Sequence, residues 1–128
     1  MVKTYTAAEA NRTLPYVRSV VADILEKARE LRGKTSLSPD PENDDELELL
    51  QQDLLSLMEE LEKIGASFKD WNFEVGLVDF PGQVRGEEVM FCWRSDEDAV
   101  LWYHSADEGF AGRQRIPEDE LPEDLRQN

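Results

Sequence analysis

The side chains able to do chemistry gather in the second half of the chain. GLVDFPG at 76–82 holds Asp79, VMFCW at 89–93 holds the only cysteine, LWYH at 101–104 holds the only histidine, and GFAGRQR at 109–115 holds Arg113 and Arg115. Asp79 has the chemistry of a general base, a metal ligand or the partner of an arginine. Because Pro81-Gly82 is a good turn pair, the simplest expectation is a carboxylate capping that turn. His104 can act as a general base. With Asp79 and Glu108 or Asp107 it can also complete a mixed nitrogen–oxygen metal site. A hydrogen-bonded structural ring is the simpler expectation, because geometry must confirm a motif.

The GFAGR segment offers a different chemistry. Gly109 and Gly112 bracket Phe110-Ala111 and permit a tight loop whose amides converge. Arg113 and Arg115 can then fork onto a carboxylate or phosphate. A small-anion site built from Arg85, His104, Gly109, Phe110, Gly112 and Arg113 is therefore a candidate. Pairing of these arginines with the protein's own acids, Asp79 or the tail, is the simpler expectation. Cys92 sits in mid-strand between Phe91 and Trp93 and reads as a small core residue, since a reactive thiol needs an exposed electropositive setting. A Cys92–His104 pair would require neighbouring strands and lacks an orienting third group. No metal-finger spacing, phosphate loop or nucleophile elbow is present, so no cofactor is expected.

These segments must be positioned by the elements around them. Thr6-Ala7-Ala8-Glu9 has the form of a capping box. The short helix it opens should break near Thr13 or Leu14, because Pro15 disfavours helix in the residue before it and suits the first turn of a new one. Leu14, Val17, Val21, Ile24, Ala28 and Leu31 then recur at alternating steps of 3 and 4, with Gly33 a plausible stop. Leu47, Leu50, Leu54, Leu57, Leu61 and Ile64 repeat that rhythm up to Gly65. This second helix should open at Asp40 before Pro41, or at Asn43 reaching toward Glu46. Two such helices joined by a polar loop predict an antiparallel hairpin. Val20 and Leu25 widen the first stripe, and Leu55 and Met58 the second. The surplus must meet a sheet, another subunit, or both.

Trp71, Phe73 and Val75 alternate with Asn72 and Glu74, as in a half-buried strand. A further run at 77–80 closes at Pro81-Gly82, and strands are expected at 88–93 and 99–104. Nine of the eleven aromatic residues lie from Phe68 onward, which assigns the bulky core wall to this half. The predicted architecture is α+β: one domain at 1–116, with a helical hairpin at about 6–65 and an antiparallel sheet of three to four strands at about 68–116. An acidic, weakly ordered tail, or one short helical turn, follows at 117–128.

The formal charge of −15 is spread along the chain, with 8 basic and 14 acidic side chains in residues 1–66 and 5 and 10 in residues 67–116. A field of that sign repels nucleic-acid backbones and anionic membranes, so neither is an expected partner. No apolar run approaches the ~18 residues of a membrane span. The opening Met1-Val2-Lys3-Thr4-Tyr5 lacks a long apolar stretch, and a lone cysteine forms no internal disulfide, so a cytoplasmic location is expected.

Tyr5-Thr6-x-x-Glu9-Ala10-Asn11-x-x-Leu14-Pro15, the GLVDFP stretch, Cys92-Trp93, and Tyr103-His104 followed by GFAGR together resemble the prokaryotic domain of unknown function 2203. One departure is Tyr103, where the pattern leads one to expect Trp. The resemblance covers the chain from Tyr5 to about Arg115 and implies a single α+β domain, with no activity to carry over. The favoured expectation is a non-catalytic interaction or structural module, homodimeric through helices at about 15–32 and 46–64. The alternatives are a small anionic-ligand domain using Arg85, His104 and Arg113, and a metal-assisted or acid/base hydrolase using Asp79 and His104.

Overall fold

The computed structural model describes residues 4–127. Residues 1–3, part of the segment expected to lack a signal stretch, and residue 128, the end of the acidic tail, lie outside it.

Helix α1 spans Ala7–Leu37. It opens with the expected capping box: the Thr6 hydroxyl accepts from the Glu9 amide at 3.1 Å, and the Glu9 carboxylate accepts from the Thr6 amide at 2.9 Å. The expected break at Thr13 or Leu14 does not occur, and the helix runs straight through Pro15. An internal proline costs about 3 kcal/mol. Buried Ala10, Leu14 and Val17 hold both sides of it against the core. The Thr13 hydroxyl and the Asn11 amide also donate to the carbonyls of Glu9 and Ala7. Nor does Gly33 stop the helix. Instead the Thr35 and Ser36 hydroxyls tie the final turn to Leu31 and Gly33, and Lys34 pairs with Glu46.

Helix α2, Asp45–Lys63, opens at neither Asp40 nor Asn43. Asp40 precedes and Asn43 ends a 3-10 turn at Pro41–Asn43, the two joined side chain to side chain at 3.0 Å, and Asp44 caps the helix by accepting from the amides of Glu46 and Leu47. Its exit is as expected: Gly65 adopts φ 87°, where a side chain is disfavoured, and lets the Ala66 amide reach the Leu61 carbonyl at 3.0 Å.

Five antiparallel strands follow in spatial order β1 to β5: Ser67–Phe68, Leu77–Val84, Glu87–Arg94, Trp102–His104 and Gln114–Arg115. Three sequence expectations fail here. Trp71 to Val75 is not a strand. The Asp70 carboxylate takes the amides of Asn72, Glu74 and Val75 at 2.7–3.0 Å, donors that a strand would have offered to a neighbour. Pro81-Gly82 is not a turn. It lies within β2, opposite Met90 and Val89, while the hairpin closes at Arg85-Gly86 with φ of 52° and 82°. Proline is tolerated there because β1 reaches only Val78 and Asp79 and the Tyr5 bridge beside Pro81 needs its carbonyl, which accepts from the Tyr5 amide at 2.7 Å. Gly82 lets the Phe91 ring lie where a side chain would be, 2.4 Å from the position of a Cβ. The expected strand at 99–104 is shorter because the Asn11 side chain takes both the amide and the carbonyl of Val100, at 2.8 and 3.0 Å.

Phe80, Phe91 and Trp93 project from one face of the sheet into a core shared with Val17, Val21, Ile24, Met58 and Leu61. Of the residues that widen the helical stripes, Val20 and Met58 are buried in this core and Leu25 packs against it, whereas Leu55 stays exposed. Residues 117–127 include two 3-10 turns, Glu118–Glu120 and Glu123–Leu125, with Leu121 buried.

Candidate functional site

Register decides what meets on the outer face of the sheet, away from the helices. Asp79 on β2 lies directly opposite Cys92 on β3, and Cys92 opposite Trp102 on β4. His104, two residues further along β4, projects from the same side. Asp79, Cys92 and His104 are all buried, at 6%, 2% and 3% exposure, and their ligand-competent atoms lie within 4.8 Å of one another.

Each of the histidine's two nitrogens has a polar neighbour. Nδ1 lies 2.7 Å from the carbonyl oxygen of Ser105, which can only accept, so Nδ1 carries a proton. Nε2 lies 3.1 and 3.2 Å from the two oxygens of Asp79. A neutral ring with its proton on Nδ1 would aim a lone pair at a carboxylate. The contact is attractive only if a second positive element is present: a proton on Nε2, a proton on Asp79, or a cation between them. Asp79 is therefore a mid-strand partner of His104, not the expected turn cap.

Among the described residues Nε2 has its hydrogen-bond contacts with Asp79 and none with the Cys92 sulfur. Burial, reinforced by the negative charge of Asp79, pushes the Cys92 thiol up to about 11, against the opposing pull of Arg113. At neutral pH that sulfur is protonated and a poor nucleophile.

Gly109 turns the chain at φ 73° into a 3-10 turn at Phe110–Gly112, which delivers Arg113 over the cluster. The guanidinium is sandwiched between the rings of Phe110 and Trp102, with centroids 4.5 and 4.6 Å away. One nitrogen donates to Glu97 Oε1 at 3.3 Å and approaches Cys92 Sγ at 3.8 Å, while the other donates to Glu97 Oε2. Glu97 also accepts from the Arg94 amide at 2.8 Å. Arg113 is thus paired internally, as the simpler expectation held, but with Glu97 and not with Asp79 or the tail. Phe110 stays 40% exposed.

The other named residues lie apart from this cluster. Arg85 sits on the hairpin turn, its guanidinium 2.9 Å from Asp119 and its amide on Glu120. Glu108 accepts from the Ser105 hydroxyl at 2.7 Å, and a side chain on Gly112 would collide with it. The Arg115 guanidinium lies 6.0 Å from the ring centroid of Trp102.

The sequence pattern of a family described as "Uncharacterized conserved protein (DUF2203)" matches residues 3–116. The chain belongs to that family. The matched stretch of this DUF2203 protein includes Asp79, Cys92, Glu97, His104 and Arg113, whereas Asp119, the partner of Arg85, falls beyond it. Comparison with curated proteins gives no match, and comparison with solved structures gives none.

Sequence reasoning missed Glu97 and Asn11. Glu97 stands in the acidic turn Ser95-Asp96-Glu97-Asp98, where nothing separates it from its neighbours until strand register shows which acid faces Arg113. Asn11 had a signal, as part of the N-terminal motif, yet a polar residue one turn before a proline reads as a helix-end feature and not as a surrogate strand partner.

Proposed function

We propose that this DUF2203 protein is a non-catalytic interaction module that self-associates through its helices. The observation that carries the first part is the closure of the outer face. Asp79 and His104 are buried against each other, and Arg113 is spent on Glu97, with side-chain exposures of 13% and 18%. A catalytic site needs a base or nucleophile that substrate can reach, and a small-anion site needs a free cation. An anion would have to displace Glu97 from Arg113, which makes that alternative the weaker one.

Support for self-association lies on the helices. Leu49 and Leu55 of α2 are 61% and 58% exposed, and Leu37 at the end of α1 is 85% exposed. A symmetric dimer is the commonest way to cover such residues. Like charge opposes it, since each chain carries −15, so association should tighten as salt rises. Among the described residues no helix is long and apolar enough to cross a membrane. A free buried cysteine suits a reducing cytoplasm, where we place the protein.

Sedimentation of the full chain at low micromolar concentration, at low and high salt, tests the proposal. The expected outcome is a dimer that strengthens with salt and that Leu49→Glu with Leu55→Glu converts to monomer with helicity unchanged. A monomer at every salt concentration would defeat it.

A further inference from the structure

We propose that Asp79, Cys92 and His104 bind one borderline-soft divalent cation of the zinc class. Self-association plays no part in this proposal, which starts from the unbalanced contact on the sheet's outer face. His104 donates its Nδ1 proton to the Ser105 carbonyl and turns its Nε2 toward a carboxylate. Metal-binding histidines are held in this way: an outer hydrogen bond on one nitrogen fixes the tautomer and leaves the other for the ion.

The donor set supports the choice of cation. One imidazole nitrogen, one sulfur and one carboxylate select zinc-like ions and reject magnesium and calcium, which take oxygen ligands almost alone. Binding breaks the Cys92 S–H bond and its proton leaves to solvent. Thiolate and carboxylate then supply two negative charges against the two positive charges of the ion. Arg113, 3.8 Å from the sulfur, is placed to favour the thiolate.

The spacing is within reach. Ligand atoms around a tetrahedral zinc lie about 3.3–3.6 Å apart at its usual bond lengths. Asp79 and His104 are already at 3.1 Å, and no pair in the cluster exceeds 4.8 Å, so the widest must close by about 1 Å. All three residues stand on strands paired in one sheet, which makes side-chain rotation sufficient. Three protein ligands leave a fourth position for a water molecule.

Cobalt(II) titration of the full chain, freed of metal with a chelator and shown to be folded, provides the test. Because the chain holds a single cysteine, a thiolate-to-cobalt charge-transfer band reports Cys92 alone. The expected result is one equivalent of cobalt with that band, abolished by an equivalent of zinc. Cys92→Ser should remove the band and weaken zinc binding by more than about 100-fold, since losing even an outer partner costs roughly 10–100-fold. Asp79→Asn should weaken zinc as well. If Cys92→Ser fails to fold, the wild-type band and its displacement by zinc decide. Absence of the band in folded wild type, or zinc affinity in folded Cys92→Ser within about threefold of wild type, would overturn the proposal.

Discussion

On the helix side of the sheet, Phe80, Phe91 and Trp93 are fully buried among apolar neighbours. On the other side, beginning at the adjacent residues, Asp79 and Cys92 are also buried, beside a histidine and an arginine that a glutamate holds. Alternation along one strand places these environments a residue apart. The apolar face is held by loss of water contact, which is indifferent to orientation. The polar face is held by directed contacts, each of which must be complete to be favourable. Stability therefore rests mainly on one face, and chemical specificity on the other.

The sharpest way to break that division is on the apolar side. Phe80→Ala should cost about 3–5 kcal/mol, since it opens a cavity beneath the ring of Tyr5, whose centroid lies 5.3 Å away. Urea unfolding measures it, and a loss below about 1 kcal/mol would show that the helices do not depend on this wall.

Arg113→Ala should cost less, about 1–3 kcal/mol, because the Arg113–Glu97 pair is partly open to solvent and a fully buried pair costs 3–5 when broken. Arg85→Ala, which breaks the exposed pair with Asp119, should leave the melting temperature unchanged. Equal losses for the two arginines would erase the distinction between a capped cluster and a surface pair.

A modest, pH-dependent effect is expected at the loop before β2. Burial alone would raise the Asp70 carboxyl, but the amides of Val75, Glu74 and Asn72 outweigh it and hold the group below its ordinary value. A depressed folded-state value means that the contribution is complete above the unfolded value of about 3.9 and is lost as pH falls through the folded one. Asp70→Ala should therefore cost about 1 kcal/mol at neutral pH, comparable with a lost helix cap. The gap from wild type should narrow below about pH 4. A gap constant from pH 7 to pH 3 would contradict the assignment.

Local signals were legible in the sequence where a local structure answered them. The Thr6/Glu9 box, Gly65 and the apolar rhythm of both helices are contained within a few residues, and the helices formed around them. Pro15 was misread because its local cost is overridden by tertiary burial on both sides. The candidate site was legible as a set of residues but not as a geometry. Asp79, Cys92 and His104 were each singled out, yet their meeting depends on where the β2–β3 hairpin turns. A turn at Pro81-Gly82 would have left Asp79 near a strand end, whereas the actual turn at Arg85-Gly86 sets it opposite Cys92. Residue types reveal what chemistry is available, while register decides which residues share it.

Asn11 carries a consequence for the order of folding. Its side chain joins α1 to Val100, 89 positions away, by taking both backbone groups of that residue. Contacts so distant in sequence form only after the chain between them has been drawn together, at an entropic cost that grows with loop length. Helix α1 can gain its capping box from neighbours alone. The tie between α1 and the segment before β4 therefore closes only after the hairpins between them have formed.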